Sequence, residues 1–301
     1  MNIPRWVKLW GAAVALLALA AVGVHAQGRS EAGIAARLFR GLTDAVREKA
    51  LAKYDDKQVM QAERPFPGGD QDGRGVLLTE LTDEQRGAVD ELLNTFFSPA
   101  GQEKAALIRR QPHGPGNRSM DPYLWYIKYY NEPARGENWA FRIEEHHLSV
   151  IQRYGPGSEA TFGPIQLGAN TPRDTWDNEL AIVRQLHQSL SDAQRMGVVN
   201  PIDAMPGAEV KSLTYASLTD AQKALARQLW EARVAMLSDS QRERLAPLVE
   251  RSGGIASAKI AFYGEPREYG DRFVFSLANE GVYLNVDWRS SHPHSIIRAG
   301  L

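Results

Sequence analysis

A chain of 301 residues, 43% of them apolar and none cysteine, has to hold its core by packing alone; disulfides, thiolate nucleophiles and thiolate-held metals are excluded. Basic and acidic residues balance to a formal net charge of −1, and no basic run occurs, which gives no footing for nucleic acid or for an anionic membrane surface. The length suits one large domain or two intimately packed halves.

Residues 1–26 read as an export signal. Arg5 and Lys8 form a basic start, Leu9 to Val24 is almost wholly apolar, and Val24-His25-Ala26 is an acceptable cleavage site before Gln27. The 16-residue apolar run is shorter than the roughly 20 residues a spanning helix needs. No cysteine follows it to carry a lipid. The expectation is an exported chain, periplasmic or secreted, with no stable membrane association after cleavage. Loss of Arg5 and Lys8 takes its charge from −1 to −3.

Five segments then repeat one pattern, leucine followed by Thr or Ser and Asp, starting at Leu42, Leu81, Leu190, Leu218 and Leu237. In four of them a glutamine follows the hydroxyl by three residues: Thr82/Gln85, Ser191/Gln194, Thr219/Gln222 and Ser238/Gln241. That spacing is a capping box, and the aspartate suits the positive end of a helix. Helices are expected over 31–53, 83–97, 101–110, 122–130, 177–189, 192–197, 220–236 and 239–251. The segment 122–130 crowds Tyr123, Trp125, Tyr126, Tyr129 and Tyr130, which as a helix would wall a cleft for a small-molecule ligand, with Asn170 brought in by the turn at Gly168 to Pro172.

Two regions break the helical rhythm. Phe141 and Ile143 put the apolar face on odd numbers, Leu148 and Val150 on even ones; the same slip separates Phe273, Phe275 and Leu277 from Val282, Leu284 and Val286. A strand changes face only by gaining a residue, so the slips predict a β-bulge near Glu145 to His147 and another across Ala278 to Gly281. The recurrence predicts an internal duplication, with pseudo-repeats at roughly 75–175 and 213–298. The fold class is therefore α+β: two halves, each of helices plus antiparallel strands, around one composite core in a single domain over 27–301.

The strand region carries the chemistry. Four of the six histidines beyond residue 26 fall in two clusters, His146/His147 and His292/His294. Together with Glu144 they supply neutral imidazoles and a carboxylate, a donor set that suits a divalent metal such as zinc, iron or copper. The expected metal ligands are His146, His147, His292 and His294, with Glu144 and Arg142 as catalytic partners and Ser149 on the same face. The competing expectation is that Arg142 and Glu144 form a cross-strand ion pair and the imidazoles hydrogen-bond within the core. Walker, dinucleotide-binding and G-x-S-x-G motifs are missing from the sequence, as is H-E-x-x-H.

These residues resemble the bacterial family known as Domain of Unknown Function 3500. Its pattern of Trp, Arg, Glu and His-His-Leu-Ser is matched by Trp139, Arg142, Glu144 and His146 to Ser149. A Leu-Gly-Ala-Asn-x-Pro turn is matched by Leu167 to Pro172, and a late His-x-His-Ser run by His292, His294 and Ser295. The resemblance spans roughly 33–298. It departs at Glu145, where the family usually has glycine, and at Ile296-Ile297-Arg298, where Trp-Arg-Asp is usual. The family implies where a site lies, and no activity. Two functions follow as expectations: a hydrolytic or oxidative metal site, or a non-catalytic exported module that binds a small molecule or a partner.

Overall fold

The computed structural model describes residues 30–55, 75–111, 121–145, 147–170, 176–201, 210–266, 272–289 and 292–300. The expected signal, residues 1–26, lies outside them. Among the described residues no helix is long and apolar enough to cross a membrane.

Eight α-helices are present among those residues: α1 (Glu31–Arg40), α2 (Asp44–Ala50), α3 (Asp83–Asn94), α4 (Pro99–Arg109), α5 (Asp177–Ser189), α6 (Asp192–Val198), α7 (Asp220–Val234) and α8 (Asp239–Arg251). All five Leu-Thr/Ser-Asp segments start helices, the hydroxyl accepting a backbone N–H three residues on. Each such cap contributes about 1 kcal/mol. Thr82/Gln85, Ser191/Gln194 and Thr219/Gln222 close full capping boxes. Gln241 does not, because the Ser238 N–H that it would accept donates instead to the Phe96 carbonyl. The expected helix over 31–53 is two helices. Gly41 and Leu42 interrupt it and Thr43 caps the second, as its own Leu-Thr-Asp motif dictates.

The strands are β1 (Leu51–Ala52), β2 (Val76–Leu77), β3 (Tyr126–Tyr130), β4 (Trp139–Glu145), β5 (Leu148–Tyr154), β6 (Phe162–Gly168), β7 (Val199–Asn200), β8 (Leu213–Thr214), β9 (Lys259–Tyr263), β10 (Phe273–Ala278), β11 (Val282–Arg289) and β12 (His292–Ala299). Among the described residues they form one mostly antiparallel 12-stranded sheet in the order β1-β3-β4-β5-β6-β12-β11-β10-β9-β7, with β2 on β3 and β8 on β9. Helix α4 packs on β6, and α8 on β6 and β12, at its centre.

The expected helix over 122–130 is a correction: Tyr126–Tyr130 is strand β3. Aromatic residues favour a pleated, half-buried surface, and here that preference wins. Alternation splits the aromatics between faces. Tyr129 joins Ile127 in the helix-side core, while Tyr130 packs with Ala140 and Ile151 on the opposite face, so they do not wall one cleft.

The two predicted bulges are corrected as well. Each phase slip is a hairpin. Glu145 pairs with Leu148 at the end of the first hairpin; Ala278 pairs with Tyr283 at the end of the second. A reversal of the chain changes the parity of the buried face as a bulge would. Phe141 and Ile143 share the helix-side core with Val150, Ile165, Leu167 and Ile297, and Arg142 and Glu144 alternate with them onto the other face. A one-residue slip would expose that row at a cost of roughly 1.5–3 kcal/mol per side chain.

Several pairings occur twice along the chain. β1 runs parallel to β3, and β7 parallel to β9. Phe97 bridges Leu237; the Ser98 N–H donates to the Met236 carbonyl at 3.0 Å, and the Ser238 N–H to the Phe96 carbonyl at 3.0 Å. At the sheet corners the Gly168 N–H donates to the His147 carbonyl (2.5 Å) and the Gly300 N–H to the Gly281 carbonyl (2.8 Å).

Candidate metal centre

His147 lies at the end of the β4–β5 hairpin, and its carbonyl ties that turn to β6 through Gly168. His292 and His294 open β12. Their i, i+2 spacing turns both rings to one face, and the Pro293 carbonyl between them accepts the Ala169 N–H at 3.0 Å. His294 stands opposite Gly168 on β6 and opposite Asp287 on β11. Segments 145 residues apart are thereby brought to one point.

The geometry there is close. The Nε2 atoms of His147 and His292 lie 3.3 Å apart. Ring centroids are separated by 4.7 Å for His147–His292, 4.8 Å for His292–His294 and 5.7 Å for His147–His294. One ligand nitrogen from each of the three lies within 4.8 Å of the others. A zinc ion held at about 2.0–2.1 Å by tetrahedral imidazoles sets its nitrogens roughly 3.3 Å apart, so one pair already has that separation and the third ring needs a small rotation. His147 and His294 are 1% and 4% exposed; His292 is half-buried and forms the outer side.

Close approach of β6 to the rings depends on Gly168. A Cβ there would lie 2.4 Å from Cδ2 of His294, 2.9 Å from the Pro293 carbonyl oxygen and 3.0 Å from Cδ2 of His147. Only hydrogen fits between the two imidazoles.

Arg142 and Glu144 lie on the same sheet face as His294 and are joined at 2.7 Å, with side chains 11% and 14% exposed. The pair runs along one strand, two residues apart, and is not the cross-strand pair expected. The register across this face continues from Glu144 to Ser149 and Gln166, both 3% exposed. Burial raises the pKa of the neighbouring Tyr130 hydroxyl, with Arg142 opposing the shift and Glu144 adding to it. His146, also expected in the site, lies outside the described residues.

Asp287 and the spacing role of Gly168 went unread in the sequence. Asp287 sits in an alternating strand like any solvent-facing residue, and only the β11–β12 pairing puts it beside His294. Gly168 was visible as a turn signal, but its neighbours come from strands far away in the chain.

No curated protein and no solved structure matches this chain. A family match does cover it from residue 27 to residue 300, and on that match the chain belongs to DUF3500, a family described as "Protein of unknown function".

Proposed function

We propose that His147, His292 and His294 hold a divalent first-row metal ion, with zinc, iron and copper the candidates for a mainly imidazole site, and that the protein acts at this ion as a hydrolytic or oxidative enzyme. The observation that carries this is the convergence of three imidazoles from two distant segments, their ligand nitrogens within 4.8 Å and two of the rings buried. Such an ion supplies either Lewis acidity or a redox centre. His146, next to His147 in the sequence, is proposed as an additional donor. Glu144, oriented by Arg142 on the same sheet face as His294, is proposed as the acid/base group.

A second reading has its own support. The 3.3 Å contact between His147 and His292 is also an ordinary imidazole hydrogen bond, which needs no metal. On that reading the histidines are structural, and the protein is a non-catalytic module binding a small molecule or a partner.

Metal analysis separates the two. Protein isolated without chelator should contain close to one equivalent of a transition metal, and metal at a hundredfold excess over its Kd should stabilise the fold by about 2.7 kcal/mol. His147→Ala/His294→Ala should abolish both effects. A metal-free isolate whose melting is unchanged by zinc, ferrous iron or copper would decide for the structural reading.

Two further proposals belong here. The recurring register and reciprocal backbone contacts support descent of the halves from one duplicated unit. The composition of residues 1–26 supports export. Mass spectrometry of the protein from its native host should find an N-terminus at Gln27 or within a few residues of it; retention of Met1 would refute removal of the signal.

A further inference from the structure

We infer that Asp287 is a positioning residue of the histidine centre, accepting the Nδ1–H of His294 and so leaving Nε2 of that ring as the metal donor. The inference rests on the metal reading above and adds a residue to it. Asp287 and His294 are direct partners in the β11–β12 ladder, and the flanking Val286 and Trp288 point into the helix-side core, so Asp287 shares the face of His294. Cβ atoms of such a pair are about 4.5–5.5 Å apart.

Side-chain length then decides which nitrogen the carboxylate meets. The Nε2 atoms of His147 and His292 approach each other at 3.3 Å, so the far ends of those imidazoles mark the metal position. An aspartate is too short to reach from its own Cβ to that point, but it reaches the near nitrogen, Nδ1, of the ring beside it. Hydrogen bonding at one ring nitrogen fixes the tautomer and the ring plane, and makes the other nitrogen the donor. Glu144, the other carboxylate considered for this role, is engaged by Arg142 at 2.7 Å and stands on β4, separated from β12 by β5 and β6.

The test uses the full chain. In unsubstituted, metal-free protein the imidazole ¹⁵N shifts of His294 should report the Nδ1–H tautomer; the Nε2–H tautomer there would overturn the proposal without any variant. Zinc titration against a chromophoric chelator should show Asp287→Ala weakened by about 10–100-fold. Asp287→Asn should recover most of the affinity, because its amide oxygen still accepts the same proton. Cobalt, used as a coloured probe, should show a changed visible spectrum in Asp287→Ala. Wild-type zinc affinity in Asp287→Ala, with binding abolished in His147→Ala/His294→Ala, would sink the role of Asp287 and leave the metal site standing. If the histidine variant instead binds zinc as tightly as the parent, the metal reading fails and the proposal fails with it.

Discussion

Gly168→Ala should lower the free energy of unfolding by about 1–3 kcal/mol and cut zinc affinity by about 10-fold or more, measured by urea denaturation and by chelator competition. The added methyl has nowhere to go. It meets the His294 ring at 2.4 Å on one side, the His147 ring at 3.0 Å on the other, and the Pro293 carbonyl at 2.9 Å. The two rings can rotate away, but rotation separates the nitrogens that have to converge. The carbonyl belongs to the β6–β12 boundary and yields only if that ladder shifts. Wild-type stability together with wild-type affinity would show that the glycine does not set the ring spacing.

The second large effect is expected at Arg142. Arg142→Met leaves the Glu144 carboxylate, 14% exposed, without its guanidinium. Removing one partner of a buried pair typically costs about 3–5 kcal/mol, since the remaining charge stays desolvated. Glu144→Gln should cost less, because its amide oxygen still accepts from the guanidinium. The double variant Arg142→Met/Glu144→Gln should be more stable than Arg142→Met alone, and the coupling read from the four proteins measures the pair directly. Equal destabilisation by Arg142→Met with and without Glu144→Gln would mean that lost packing of the arginine stem, and no stranded charge, causes the effect.

The parts of this fold legible in the sequence were those fixed by neighbours along the chain. Hydroxyl, aspartate and glutamine at fixed spacing located the helix starts because a cap is satisfied within one turn. Alternation told which of Phe141 and Arg142 faces the core, since a pleat has a period of two. Parity does not distinguish an inserted residue from a reversal of direction, so the slip that predicts a bulge is in fact the hairpin between β4 and β5. Aromatics at close spacing satisfy either period over five residues, so the Tyr126–Tyr130 segment reads as helix in the sequence and folds as strand. The histidine clusters could be named in advance, but their meeting depends on β6 pairing with β12 across more than a hundred residues. For the same reason Asp287 carried no signal until β11 lay beside β12.

The recurring corner has a bearing on what the imidazoles are for. At one corner Gly168 binds the carbonyl of His147; at the other Gly300 binds the carbonyl of Gly281 by the same backbone bond. This protein has thus already closed one such corner with no side chain at the accepting residue. The architecture of the turn makes no demand for a ring at position 147, and His147→Gly is expected to leave the Gly168 bond intact. Whatever requires the imidazole must act beyond the backbone, in the space the three rings share.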